Sequence, residues 1–121
     1  MRRTLLAVAA TSAVAFAGAP ALAHHSHAMF DHQKEVTITG TVMNFAYVNP
    51  HGSLDIAVEE NGQAKKYWIE MSNLTQMVLR GITPATFKKG DKVTVRMHPL
   101  KDGRPGGSYL VIVAADGKEY E

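Results

Sequence analysis

Histidine is the residue type in this chain whose number and spacing could do chemistry. Six occur, and four of them, His24, His25, His27 and His32, crowd one short stretch, while His51 and His98 stand apart. Neutral imidazole is the commonest side-chain ligand for transition metals. A chain processed to begin at His24 would carry a free α-amine beside that residue's own Nδ1, so one residue would chelate a metal through two nitrogens. A third nitrogen from a distant histidine, such as His51 in Asn49-Pro50-His51, completes the T-shaped arrangement known as a histidine brace. Such donors suit copper first and zinc or nickel after it, because copper leads the affinity order of the divalent first-row ions. His25 in second place offers a competing chelate through the amine, a deprotonated backbone amide and its imidazole, and His27 and His32 are further donors on the same arm. The ordinary alternatives are a polar tail that touches nothing and, for His51, a turn residue that hydrogen-bonds to backbone.

A free amine at His24 requires cleavage before it, and residues 1–23 have the form for that. Arg2-Arg3 precede an uncharged apolar run from Leu5 to Ala17, and Ala21-Leu22-Ala23 supplies a small-residue cleavage site, the order of a secretory signal peptide. The two arginines are ordinary in any such leader and leave the Sec and twin-arginine routes both open. The apolar run is short for a bilayer and no second one follows, so a mature chain in the periplasm or secreted, with no membrane insertion, is expected. The whole chain of 121 residues has 13 Lys plus Arg against 11 Asp plus Glu. Arg2 and Arg3 belong to the leader, so the mature chain is balanced. A neutral chain lacks the electrostatic footprint for nucleic acid or an anionic membrane surface. The absence of cysteine rules out disulfides, thiolate ligands and cysteine nucleophiles, and leaves stability to core burial.

The elements that must position the histidines are mostly strands. Residues 24–34 show neither periodicity and form an N-terminal arm ahead of one domain at 35–121. Val36, Ile38, Gly40 and Val42 alternate with threonines as one strand, with Gly40 suggesting a bulge or sharp bend after which Phe45 and Tyr47 carry the apolar parity. Leu54, Ile56 and Val58 form the next strand, Glu60-Asn61-Gly62-Gln63 a hairpin turn, and Tyr67, Ile69 and Met71 a third. Ser72 or Asn73 caps a short helix reaching Arg80, with Leu74, Met77 and Val78 on one face and Gly81 as its left-handed terminator. Thr83-Pro84 starts a turn holding Phe87. Val93, Val95 and Met97 make a fourth strand, and beyond the loop from Asp102 to Gly107 the apolar run Tyr109 to Ala114 makes a fifth. The order β-β-β-α-β-β predicts a mostly β protein, an OB-like five-stranded antiparallel barrel with one short helix. An open five-stranded sheet with the helix packed on it is the alternative.

Other residues point to a surface rather than a metal. Trp68 lies on the parity opposite Tyr67, Ile69 and Met71, beside Glu70, so both are expected to face outward, and Trp68 with the loops and His98 could hold a protein partner or small ligand. Partial burial of Trp68 under the arm or helix is the competing expectation. Met97 and His98 are adjacent on a strand and point to opposite faces, which suits a core Met97 and an exposed His98. The chain has no Gly-x-Ser-x-Gly elbow, no phosphate-binding Gly-Lys-Ser/Thr loop and no His-Glu-x-x-His. An enzyme is accordingly the least favoured class, with a copper enzyme as its one form here.

His24-His25-Ser26, Met29-Phe30-Asp31, Thr39-Gly40-Thr41-Val42, Asn49-Pro50-His51, Arg80-Gly81, Lys89-Gly90-Asp91 and Lys101-Asp102-Gly103 together resemble an uncharacterised family of small exported proteins of Gram-negative bacteria. The resemblance spans nearly the whole mature chain. It implies export, a single small β domain and attention to His24, His25 and His51, and it implies no activity. His27 stands where that family's pattern would have an aromatic residue after Ser26. The expectation is therefore an exported metal carrier or sensor, with copper as the metal. The alternative is a metal-free periplasmic module that holds a partner or small ligand through Trp68 and its neighbouring loops.

Overall fold

The structure, a computed structural model, describes residues 27–121. Alternating burial builds each strand. β1 (Val36–Ala46) turns Val42 inward, β2 (Ser53–Glu60) turns Leu54, Ile56 and Val58, β3 (Gln63–Glu70) turns Ile69, and β4 (Lys92–Pro99) turns Val93, Val95 and Met97. β5 (Gly106–Val113) buries Tyr109 and Ile112, and a two-residue β6 (Glu119–Tyr120) adds to its edge. The turn joining β2 to β3 has positive φ at both Asn61 and Gly62, the type I′ geometry whose twist matches a hairpin.

The strands close into a barrel in which β1 pairs with β2 and β4, β2 with β3, and β4 with β5. The last seam corrects the purely antiparallel expectation, because β3 runs parallel to β5 through Trp68 with Gly106, Ile69 with Gly107 and Glu70 with Ser108. A parallel pair needs a long crossover, supplied here by α1 (Leu74–Leu79) and β4. Closure leaves β3 and β5 without free edges along that seam. Short as it is, the seam joins the last residues of β3 to the first of β5, and so brings residues on either side of the helix together.

Two bulges explain where the simple alternation fails. The β1–β2 register slips between Val42 and Asn44, which puts exposed Met43 out of sequence and lets Phe45 pack inward after Val42. Gly40, expected at the bulge, serves instead for close approach: a Cβ there would lie 2.5 Å from the Ala57 carbonyl oxygen and 3.1 Å from Val58 Cγ2. A second slip, after Arg96 on β4, skips Leu110 on β5, so Tyr109 and Ile112 both turn inward despite their odd spacing.

α1 has Asn73 as its N-cap, with the Asn73 side chain accepting from the Gln76 amide, and Gly81 at φ 76° follows its end. Met77 is its buried residue and reaches the main core. Val78, expected on that face, is exposed, as is Leu79. A helix of six residues presents only one of them fully to the barrel end. Phe87 and Tyr120 pack against each other at 5.6 Å on the same core. No helix among the described residues is long and apolar enough to cross a membrane.

The described part of the arm is tied to the barrel. Phe30 bridges Leu100, Asp31 N donates to the Pro99 carbonyl at 2.9 Å, and Lys101 N donates to the Met29 carbonyl at 2.9 Å. Phe30 itself is only 1% exposed, so a single buried aromatic anchors a segment whose other described residues are exposed or half-buried.

Candidate metal site

His51 follows a loop held at both ends. Asn49 Oδ1 accepts from the Leu74 amide at 2.9 Å, which satisfies one of the unpaired donors at the start of α1. On the other side, Gly52 N donates to the Ser72 carbonyl at 3.1 Å and Gly52 O accepts from Met71 N at 2.8 Å. A Cβ on Gly52 would sit 2.8 Å from the Ala46 carbonyl oxygen and 2.9 Å from Met77 Cε, so only glycine fits there. The Asn49–Pro50 peptide is cis. The Asn49 and Gly52 hydrogen bonds place His51 at the end of β3.

There it meets Glu70. His51 Nδ1 lies 3.4 Å from Glu70 Oε1. Glu70, expected to face solvent beside Trp68, is buried, with 8% exposure. Its position explains this: it pairs with Ser53 on one side and Ser108 on the other, in the seam that closes the barrel. Burial raises the Glu70 pKa above the ordinary glutamate value, and the positive charges available to His51 and then His27 oppose that rise. His27, on the arm, lines the same pocket as His51 and Glu70, a cavity of about 260 Å³ that also contains Ser72, Arg80 and Tyr109.

The remaining described histidines form a neighbouring group. His32 Nε2 donates to the His27 carbonyl at 2.9 Å, and its ring stands edge-on to His98 at 4.9 Å between centroids. His98, expected to be exposed, is half-buried because its Nδ1 donates to the Lys34 carbonyl at 2.8 Å and pins the arm, which leaves Nε2 as its other ring nitrogen. Met97 beside it is buried, as the strand alternation predicts. Trp68 is half-buried and stacks on Phe30 at 6.4 Å with 16° between the ring planes, which is the expected partial cover by the arm. His24 and His25 lie outside the described residues, as does the expected cleavage site. Among the described residues, no three His, Asp or Glu side chains are grouped as a metal would need.

Among the contributors to this pocket missed in the sequence are Arg80 and Tyr109. Each looked structural, Arg80 as the last residue of a short helix and Tyr109 as the head of an apolar run. The β3–β5 seam brings Tyr109 beside Ser72 and Glu70, while Arg80 reaches Ser72 across the helix, eight residues along the chain. The signal that singled Arg80 out was its place in the Arg80-Gly81 motif.

Residues 10–109 match the model of a family of unknown function, DUF6152. The chain belongs to this family. No curated protein and no solved structure matches the chain. The family match covers the barrel up to the β3–β5 seam and includes Asn49-Pro50-His51, Glu70 and Arg80, so the pocket lies within the shared domain. Membership of DUF6152 brings no activity with it, and the chemistry has to come from the pocket itself.

Proposed function

We propose that this protein is an exported metal carrier or sensor that binds copper through a processed N-terminal His24 together with His51. The observation that carries this is the setting of His51, whose Nδ1 faces the buried Glu70 carboxylate at 3.4 Å. A carboxylate on one ring nitrogen fixes that nitrogen as the N–H and leaves Nε2 as a lone-pair donor, the arrangement typical of metal-ligating histidines. His27 lines the same pocket, and His24 precedes it by three residues, a reach of roughly 10 Å in extended chain. A chain beginning at His24 then has its amine and imidazole within range of the His51 ring. Amine and imidazole nitrogens are donors that copper favours over the other divalent first-row ions. The described residues alone do not complete a ligand set, so the reading depends on the nitrogens of His24, with His25 as an alternative donor. In this role the chain's own residues bind the metal, orient His51 and partly cover the pocket with the arm.

The α-amine and both imidazole nitrogens must be free of protons to bind, so copper affinity should fall as pH drops. The deciding experiment is copper titration of three proteins: the chain beginning at His24, the same chain with its α-amine acetylated, and His51→Ala. Both alterations remove a ligand and should each weaken binding by more than the roughly 10–100-fold that loss of an outer partner costs. Equal binding by all three overturns the brace and leaves a local tail chelate of His25, His27 or His32 in its place.

A further inference from the structure

Arg80 ends α1 and turns its guanidinium onto two hydroxyls. Nη1 donates to Ser72 Oγ at 2.6 Å and to the Tyr109 hydroxyl at 3.1 Å, and the two oxygens are 3.4 Å apart. Both partners are neutral. Arg80 makes no ion pair with any described residue, and the one carboxylate lining its pocket, Glu70, is instead beside His51. A guanidinium has five N–H donors and no acceptor. Its hydrogen bonds to described residues all leave from Nη1, so Nε and Nη2 keep their donors for another group. Each hydroxyl oxygen already accepts from Arg80, and at most one of the two can donate to the other. At least one O–H therefore remains to be given, and the triad offers donors well in excess of acceptors.

An exposed guanidinium held by two hydroxyls, with no ion pair among the described residues and flanked by spare hydroxyl donors, matches the needs of a planar oxyanion, which takes two parallel N–H bonds from an arginine fork. The side-chain amides of Asn73 and Gln76 line the same cavity and add further donors. Its volume of about 260 Å³ falls below the roughly 300–1,000 Å³ of pockets for drug-sized ligands, so the occupant has to be small. Tyr109 is 8% exposed, which fixes its hydroxyl as a rigid wall rather than a mobile surface group.

We propose that this pocket binds a small carboxylate, gripped by Arg80 and hydrogen-bonded by Ser72 and Tyr109. The site shares its cavity with His51 but needs no metal, and it stands whether or not copper binds. Its test uses the mature chain stripped of metal by chelation and dialysis. Acetate, malonate and inorganic phosphate are titrated at constant ionic strength, with chloride as the control, and followed by backbone and arginine Nε–H chemical shifts. Saturable shifts at the Arg80 Nε–H and at the Ser72 and Tyr109 amides are expected with acetate or malonate. Arg80→Gln should weaken this binding at least tenfold, and Tyr109→Phe, which keeps the ring and loses only the hydroxyl, should weaken it less. Unchanged affinity in Arg80→Gln overturns the proposal. Shifts that fail to saturate, or that map to surface lysines, overturn it as well, and this readout on the unaltered chain holds even if Arg80→Gln does not fold. Binding of phosphate with no response to either carboxylate overturns the carboxylate assignment.

Discussion

Glu70 carries an electrostatic cost that pH can expose. Burial raises its pKa, and the opposing charges of His51 and His27 are the smaller effects. A glutamate whose folded pKa exceeds its unfolded value holds its proton longer in the native state. Between those two values the native state binds more protons than the unfolded chain, so stability falls as pH rises through that window. The penalty is absent below the unfolded value and complete above the folded one. Glu70→Gln keeps the shape without the charge. Thermal melts of the metal-free protein across the acid-to-neutral range should therefore show wild type losing stability relative to Glu70→Gln as pH rises, then levelling. A difference that stays constant with pH would show that burial does not control this carboxylate. The sequence placed Glu70 on an outward-facing parity and could not show its burial, because the groups that cover it come from β2, β5 and the arm.

At the scale of elements, the β1–β2 loop and α1 hold one another. Asn49 caps the helix from outside while Asn73 caps it from within, each accepting from a different first-turn amide. Loss of a cap of this kind costs about 1 kcal/mol. Asn49→Ala and Asn73→Ala should each lower stability by that amount in denaturant unfolding, but the consequences for His51 differ. Asn49 is two residues from His51 and ties its loop down. The copper affinity of Asn49→Ala is expected to fall, while that of Asn73→Ala falls less; equal affinities would mean that Gly52 alone positions the ring. The helix and its Asn73 cap were legible from residue type and spacing. Asn49 as a second cap was not, since its donor lies 25 residues away.

For the whole molecule, closure is the decisive event, and it depends on two glycines. A Cβ on Gly106 would run into the Trp68 carbonyl, and one on Gly107 into the His98 carbonyl and within 2.8 Å of Met97 Sδ. Backbone occupies that space on both sides, so neither clash is relieved by turning a side chain. Gly107→Ala should cost about 2–3 kcal/mol, a fall in melting temperature of roughly 10–20 °C for a domain of this size. A variant melting within a few degrees of wild type would show that the seam tolerates a wider spacing. The same seam places Ser108 and Tyr109 beside Glu70 and Ser72, so loosening it should disturb the pocket as well as the fold.

Strand alternation, the Asn61-Gly62 turn and the Asn73 to Gly81 helix signals are local, and each depends on residues within a few positions of one another. The amino-acid sequence therefore determined the order of the five main strands and the helix, with a barrel and an open sheet as the two architectures, and the list of histidines from which a ligand set would be drawn. The parallel β3–β5 seam, the displaced bulges, the cover of Trp68 by Phe30 and the meeting of His51, Glu70 and Arg80 were decided only in three dimensions. Each of these joins residues far apart in the chain, where neither periodicity nor propensity carries information and only shape and hydrogen bonding select the partner.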